Sequence, residues 1–155
     1  MITYRLAFTS SLSKAFRPRG AAARWNSEGN AVVYTAEHPA LAALEILAGW
    51  ELYSQLQGYS LYSCTFAEDL LEAAPPNFDI ENKDIKNKEV TRACGDTWLR
   101  EKRSVALKVM SVVAPGYNVL LNPDHSRFTE VNVEPLGPFN FEERMTALVK
   151  QAKST

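Results

Sequence analysis

The chain has 155 residues, of which 46% are hydrophobic and 23% are charged; these ordinary values predict one soluble globular domain spanning residues 1–155. Its longest apolar run, residues 39–50, contains Glu45 and is shorter than the roughly 18 residues of a transmembrane helix, which argues against a membrane span. The formal net charge of −1 lacks the cationic excess of a nucleic-acid-binding protein, so we expect no direct contact with nucleic acid.

Two strands and one long helix are predicted in the first part of the chain. Alternating apolar residues predict a strand at residues 2–8, and polar turn residues before an apolar run predict a second strand at residues 31–34. Residues 17–20 between them are predicted to form a loop. Pro39 suits the first turn of a helix, where its missing N–H is not needed, and this helix is predicted to extend to Gln57.

Strands and helices are also predicted in the rest of the chain. The patterns predict strands at residues 60–66, 105–113, 118–121 and 128–133, and helices at residues 90–101 and 141–150. The mixed charges of residues 79–88 indicate a solvated loop or helix face. Together these elements predict an α+β fold, with a compact mixed sheet core and one long central helix.

Positive charge is concentrated at the start of the sequence. Residues 1–27 contain no acidic residue but carry Arg5, Lys14, Arg17, Arg19 and Arg24. Taken alone, this pattern is typical of a basic transit peptide, whereas the alternative is a folded N-terminus whose cations bind an anionic ligand. We favour the folded N-terminus, because Arg24 belongs to the strongest motif in the chain.

Cysteine and histidine usage argues against disulfides and metal sites. The two cysteines, Cys64 and Cys94, do not form a CxxC pair or any other metal-ligand spacing. His38 and His125 are isolated in the sequence, so no metal site is expected. Free thiols are typical of a reducing compartment, which predicts a cytoplasmic protein.

Glu45 is the most informative single residue in the sequence. It is the one charged residue in the apolar run, and its neighbours at helical spacing are Leu41, Ala42, Ala48 and Gly49, none of which is cationic. If this helix face is buried, an unpaired carboxylate would cost several kcal/mol, so the carboxylate must meet a cation, a donor or a ligand, or take up a proton. The alternative is an exposed glutamate at the edge of the helix.

Arg24, Asn26 and Tyr34 form a second group of candidates, since only a turn containing Gly29 separates the guanidinium from an aromatic strand residue. An arginine offers five donors in a rigid fork that suits phosphates or a carboxylate. A structural salt bridge is the alternative for Arg24. For Tyr34 the alternative is a core or edge aromatic whose hydroxyl finds a protein partner.

Ser111 follows an apolar strand pattern, where a serine is usually a turn or cap residue. No Gly-x-Ser-x-Gly motif surrounds it, and the sequence contains neither a phosphate-binding loop nor a GxGxxG motif. A nucleophilic serine and a dinucleotide-binding fold are therefore not supported.

Several blocks taken together resemble the RES domain, a family named after its arginine, glutamate and serine. Their order and approximate spacing match over most of the chain, which makes the combined pattern specific although each block alone is weak. The blocks are Tyr4-Arg5-Leu6, Arg24-Trp25-Asn26-Ser27-x-Gly29, Val33-Tyr34-Thr35-Ala36-Glu37, Leu41-Ala42-x-Leu44-Glu45-Ile46-Leu47, Gly95-Asp96-x-Trp98-Leu99, Ser111-Val112-Val113-x-Pro115 and Asn118-Val119-Leu120-Leu121-Asn122-Pro123-x-His125.

This resemblance implies a fold, an activity and a partner. Members of the family are similar in fold to ADP-ribosyltransferase toxins, and many are toxins paired with an Xre-like helix-turn-helix antitoxin. The implied activity is cleavage of the nicotinamide–ribose bond of NAD+, by hydrolysis or phosphorolysis. NAD+ is then the substrate, and no separate cofactor is implied. Transfer of ADP-ribose to a protein is the alternative activity. A further alternative is that the chain is an interaction domain without enzymatic activity.

The resemblance also assigns roles to individual residues. The family's arginine, tyrosine, glutamate and serine fall on Arg24, Tyr34, Glu45 and Ser111, which are the implied catalytic residues. Glu45 would stabilise the positive charge that develops on the ribose, or orient the attacking water or phosphate. Arg24 would bind the pyrophosphate, with Arg5 as a weaker candidate, and Tyr34 would stack on the nicotinamide. Ser111 would donate a hydrogen bond to the ligand, and Asn26, from the block of Arg24, is a further candidate for substrate binding.

Overall fold

A computed structural model describes residues 1–18, 20–49, 56–75, 78, 83–145 and 147. Its centre is one seven-stranded sheet in the order β4-β5-β6-β2-β1-β3-β7. The β4–β5 pair is parallel and the other neighbours are antiparallel, so the sheet is mixed. The strands are β1 (Ile2–Ala7), β2 (Val33–Ala36), β3 (Tyr59–Thr65), β4 (Leu71–Ala73), β5 (Ala106–Met110), β6 (Tyr117–Leu121) and β7 (Asn132–Phe139).

The sheet is accompanied by α1 (Leu12–Ala15), α2 (Pro39–Gly49) and α3 (Lys88–Glu101), with short 3-10 turns at Glu68–Leu70, Lys83–Lys86 and Phe128–Glu130. Asn87 caps α3 by accepting a hydrogen bond from the Glu89 N–H at 3.0 Å, and Lys102 ends the helix in the left-handed conformation at φ 48°. Among the described residues, no helix combines the length and the apolar character that crossing a bilayer requires.

Helices α2 and α3 each bury an apolar surface of their own. Leu41, Ala42 and Ala43 of α2 share a buried cluster with Leu6 of β1 and Ala36 of β2. Trp98 of α3 is completely buried in a second cluster, which includes Leu107 of β5 and Leu120 of β6. The Trp98 indole N–H donates to the Ser104 hydroxyl at 2.8 Å, which satisfies its only polar atom. The two helices are therefore anchored to different strands of the same sheet.

The α+β prediction is confirmed, and most elements lie where the sequence indicates them. Strands β1, β3, β5 and β6 and helix α3 differ from the predictions by a few residues at their ends. The second strand comprises Val33–Ala36 and not residues 31–34, because its ladder with β6 starts at the Val33–Leu121 pair. The long helix begins at Pro39 as predicted and is helical to Gly49, whereas residues 50–55 of the predicted span lie outside the described residues.

The strand prediction for residues 128–133 is wrong. Phe128–Glu130 is a 3-10 turn, and β7 runs instead over Asn132–Phe139, through Pro135 and Pro138. Two prolines argue against a strand in sequence, but β7 is the last strand of the sheet, where a missing N–H on the open side breaks no ladder. Strand β4, three residues long, was not predicted at all.

Two further predictions fall partly outside the described residues. Of the mixed-charge segment 79–88, Lys83–Lys86 form a 3-10 turn and Lys88 begins α3, while residues 79–82 are not described. Of the predicted C-terminal helix at 141–150, residues 143–145 are helical, whereas residues 146 and 148–150 are not described.

Candidate functional site

One cleft of about 290 Å³ collects most of the candidate side chains. It lies where β1 and β2, the loop before β2, helix α2 and the adjoining ends of β5 and β6 come together. It is lined by the predicted site residues Arg5, Arg24, Tyr34 and Glu45 and also by Asn118, which was not among the predicted site residues. A volume of this size is at the lower end of the range for small-molecule sites.

The cleft borders a place where neighbouring strands separate. Strands β1 and β2 are in register at the single pair Tyr4–Ala36, although both continue beyond it. Arg5 bridges this separation with its guanidinium: Nη1 donates to the Tyr34 carbonyl oxygen at 2.6 Å and Nε to that of Ala15 at 2.7 Å. Arg5 therefore connects β1 to β2 and to the end of α1, and it also places a positive charge at the cleft.

Arg24 lies on the loop before β2 and is held by backbone contacts. Its Nη1 donates to the Ile85 carbonyl oxygen at 2.9 Å, and its own carbonyl oxygen accepts from the Thr91 hydroxyl of α3 at 2.6 Å. Within the described part of the chain, Arg24 forms no salt bridge, so the structural ion pair considered from the sequence is not observed. No acidic side chain there competes with an anionic ligand for this guanidinium.

Helix α3 fixes the Arg24 loop through three further contacts. The Arg92 Nε donates to the Ala23 carbonyl oxygen at 2.7 Å, and the Ser27 N–H donates to Asp96 Oδ1 at 2.9 Å. Burial raises the pKa of Asp96, but the hydrogen bonds from Ser27 and the charge of Arg92 outweigh burial and hold that pKa below its ordinary value. At Gly95 the helix approaches the Trp25 carbonyl so closely that a Cβ would overlap its oxygen.

Tyr34 and Asn26 are joined to each other beside this loop. The Tyr34 hydroxyl donates to Asn26 Oδ1 at 2.8 Å and accepts from the Trp25 N–H at 3.2 Å, while burial raises the pKa of Tyr34 to about 12. The hydroxyl is thus a protonated donor with a protein partner, and it is the side chain as a whole that lines the cleft. Asn26, 1% exposed, does not line the cleft; its Nδ2 donates to the carbonyl oxygens of Ala21, Ser27 and Asn30.

Glu45 of α2 also lines the cleft and is half-buried. Its Oε1 accepts two short hydrogen bonds, from Ser111 Oγ at 2.7 Å and from Asn118 Nδ2 at 2.6 Å. The expectation that this carboxylate needs partners from outside its own helix is confirmed, and both partners are neutral donors. Glu45 is therefore not a solvated residue at the edge of a helix.

Ser111 combines the two interpretations that the sequence left open. It is 1% exposed, and its Oγ accepts from the N–H groups of Val113 at 3.0 Å and Ala114 at 3.4 Å, as a turn residue does. The same oxygen donates its hydrogen to Glu45, so in this structure the donor that was predicted for the ligand is directed at the carboxylate. Ser111 contacts the cleft residue Glu45 but does not line the cleft itself.

Asn118 is a partner of Glu45 that the sequence patterns did not indicate. Asn118 lies in β6 opposite Val109 of β5 and Ala36 of β2. The Ser111 N–H donates to the Gly116 carbonyl oxygen at 3.0 Å, which closes the turn between β5 and β6 and brings Ser111 beside Asn118. A polar residue at the start of an otherwise apolar strand was the available signal, but its partner depends on how the turn folds.

The arrangement defines a class of site before any relative is considered. An α+β domain holds an oriented carboxylate and two arginine side chains around one small cleft. Such a site can bind a ligand that is anionic at one end and becomes cationic at the other.

Comparison with known proteins identifies the family of the chain. The family model described as RES domain matches residues 2–142, and the chain therefore belongs to the RES domain family. It is 29% identical over 152 residues to a protein named Toxin Res from Yersinia enterocolitica, covering 94% of this chain and 99% of the relative. A protein named Prs ADP-ribosylating toxin, from a Sphingobium species, is 27% identical over 127 residues, which is 79% of each chain.

A solved structure shows a similar fold. The crystal structure of the M. tuberculosis MbcT-MbcA toxin-antitoxin complex matches with a TM-score of 0.70 at 17% identity, covering 99% of this chain and 89% of that one. Membership of the RES family, relatives named as toxins and this shared fold agree with the resemblance drawn from the sequence blocks.

Proposed function

We propose that this chain is the toxin of a toxin–antitoxin pair and that it cleaves the nicotinamide–ribose bond of NAD+ in the cytoplasm. The observation that carries the proposal is that Glu45, Arg5 and Arg24 line one cleft and that two donors orient the Glu45 carboxylate. The relatives named as toxins support the biological role.

The carboxylate suits the reacting end of NAD+. Breaking the nicotinamide–ribose bond leaves positive charge on the ribose, as in glycoside hydrolysis, and nicotinamide departs as a neutral molecule. A fixed anion beside the ribose stabilises this charge without reorganising at the moment of reaction. Glu45 is the group in this role, and it can also orient the attacking water or phosphate.

The arginines suit the opposite end of the substrate. NAD+ carries a pyrophosphate, and guanidinium groups bind phosphate oxygens through charge-assisted hydrogen bonds. Within the described part of the chain, Arg24 donates through one nitrogen, to the Ile85 carbonyl oxygen, and its further N–H groups can bind the pyrophosphate. Arg5 adds a second positive charge at the same cleft. The Tyr34 ring stacks on the nicotinamide, and NAD+ is the substrate, with no separate cofactor required.

Attack by water yields free ADP-ribose, nicotinamide and a proton, whereas attack by phosphate yields ADP-ribose 1″-phosphate and nicotinamide. Transfer of ADP-ribose to a protein is the second candidate, and the Sphingobium relative named as an ADP-ribosylating toxin favours it. The proposed partner that restrains the activity is an Xre-like helix-turn-helix antitoxin. The structural neighbour solved as a toxin–antitoxin complex supports a partner of this general kind.

The deciding experiment is an analysis of the products formed from NAD+. The purified chain is incubated with adenine-labelled NAD+, with and without inorganic phosphate, and the products are separated by chromatography and mass spectrometry. Free label as ADP-ribose identifies hydrolysis, its 1″-phosphate identifies phosphorolysis, and label on protein identifies transfer. A Glu45→Gln variant purified in parallel controls for contaminating enzymes. Intact NAD+ after prolonged incubation with folded wild-type protein would refute the proposal.

A further inference from the structure

We propose that Asn118 is a positioning residue, which holds the Glu45 carboxylate in the orientation that the reaction needs. This inference rests on the proposed function and assigns a role to a residue of the same site. Asn118 lines the cleft, and its Nδ2 makes the shortest of the contacts to Glu45, at 2.6 Å.

The two carboxylate oxygens of Glu45 differ in their hydrogen bonds. Ser111 and Asn118 both donate to Oε1. Among the described residues, no group donates to Oε2. One oxygen therefore fixes the carboxylate, and the other is left for the ribose hydroxyls or for the cation that forms on the ribose. Loss of either donor would allow the carboxylate to rotate about its terminal bond.

Asn118 is better fixed for this role than a surface side chain would be. Its backbone belongs to an interior strand, paired with Val109 on one side and Ala36 on the other. Ser111, by contrast, lies on the turn after β5, and its Oγ also accepts from two backbone N–H groups. The strand holds the Asn118 backbone in place, and the short side chain, which has few rotamers, reaches Oε1 from there.

The expected effect is on turnover and not on substrate binding. Asn118→Ala should lower kcat for NAD+ cleavage about 10- to 100-fold, because a small misplacement of a reacting group has effects of this size, while KM stays within about threefold. Asn118→Asp keeps the shape of the side chain but replaces the donor by an acceptor facing Oε1, so its kcat should be no higher than that of Asn118→Ala. Asn132→Ala is the matched control: Asn132 Nδ2 also donates to a glutamate, Glu134, at 3.1 Å, but on the exposed strand β7.

A double-mutant cycle separates positioning from a general structural role. If Asn118 acts through Glu45, adding Asn118→Ala to a Glu45→Ala protein should change the residual single-turnover rate less than twofold. Two results would overturn the inference: a wild-type kcat for Asn118→Ala, or the same fold decrease in rate from Asn118→Ala in the wild-type and Glu45→Ala proteins. Neither result would contradict the proposal that the wild-type protein cleaves NAD+.

A wild-type protein without turnover would refute the proposed function instead. Thermal unfolding of the wild type, the two single variants and the double variant then tests the contact between Asn118 and Glu45. The free energy of unfolding of the double variant should fall by less than the sum of the decreases in the two single variants. Additive losses would overturn the claim.

Discussion

The parts of the cleft wall that carry Arg24 and Glu45 are held in place by different kinds of contact. The side that carries Arg24 rests on α3 through backbone groups, since Thr91 and Arg92 donate to carbonyl oxygens of the loop and Gly95 packs directly on the backbone of Trp25. The side that carries Glu45 depends on two side-chain donors, from Ser111 and Asn118. The cationic side is therefore part of the fold, whereas the anionic side is a small network of side chains.

This difference predicts how each side responds to substitution. A change at the contact with α3 moves backbone and should lower stability, with the cleft disturbed as a consequence. A change at Glu45 alters chemistry on a backbone that stays in place, so activity should fall while the fold survives.

Glu45→Gln should have the largest effect. It keeps the side-chain volume but removes the negative charge that stabilises the developing cation, so kcat should fall about 100- to 1,000-fold, or about 3–4 kcal/mol. The unfolding midpoint should change little. Glu37→Gln is the matched control, since Glu37 accepts the Tyr117 N–H at 2.9 Å and does not line the cleft. Wild-type-like turnover of Glu45→Gln would remove this residue from catalysis.

Gly95→Ala tests the side that rests on backbone. A Cβ at this position overlaps the Trp25 carbonyl oxygen, so α3 or the loop must shift, and the free energy of unfolding should fall by about 3 kcal/mol. Denaturant unfolding measures this change. Gly49→Ala on α2 is the control, because a Cβ there meets nothing within 4 Å. Equal unfolding midpoints for the two variants would contradict the proposed close contact.

Arg24→Ala should weaken substrate binding. Loss of charge-assisted hydrogen bonds to the pyrophosphate should raise the Kd for NAD+ by about tenfold or more, equivalent to about 1.5–3 kcal/mol. Isothermal titration into the inactive Glu45→Gln protein measures Kd without turnover. The exposed Arg100→Ala variant serves as a control for removing one positive charge. An unchanged Kd would exclude Arg24 from pyrophosphate binding.

Asp96→Asn should have the smallest effect, and the effect should depend on pH. Since the folded-state pKa of Asp96 lies below its ordinary value, the unfolded chain binds more protons as the pH falls. Above the ordinary pKa of about 3.9, the free energy of unfolding of the wild type should exceed that of Asp96→Asn by about 1 kcal/mol, the contribution of one hydrogen bond to a carboxylate. This difference is lost as the pH falls through the pKa of Asp96 in the folded state. Thermal unfolding at pH 7, 5 and 3 measures it, with the exposed Asp124→Asn as control. A difference between Asp96→Asn and wild type that grows toward pH 3 would contradict this assignment.

Much of the fold could be predicted because local patterns carry the information. The helix start at Pro39 and the apolar alternation of β1 and β5 need only neighbours in sequence, and these elements lie where the patterns indicate them. Strand β7 could not be predicted in this way. Its two prolines are acceptable only at the edge of a sheet, and being an edge strand is a property of the whole sheet.

The same distinction applies to the candidate site: the sequence indicates the residues, and the fold sets their partners. The sequence indicated Glu45 because a charge in an apolar run needs a partner, and it indicated Arg24 through the motif around it. It could not identify the partners of either residue. Ser111 and Asn118 lie 66 and 73 positions from Glu45, and Ile85 lies 61 positions from Arg24.

Charge, donor count and local conformation are properties of each residue and its neighbours, so the amino-acid sequence alone indicates which side chains could act. The contacts that each side chain makes depend on the folded chain. It directs the Ser111 hydroxyl to Glu45, holds Asn26 within the loop and brings Asn118 to the cleft. A hydrogen bond forms over about 3 Å, and for residues this far apart along the chain such closeness depends on strand order and on the path of the turns.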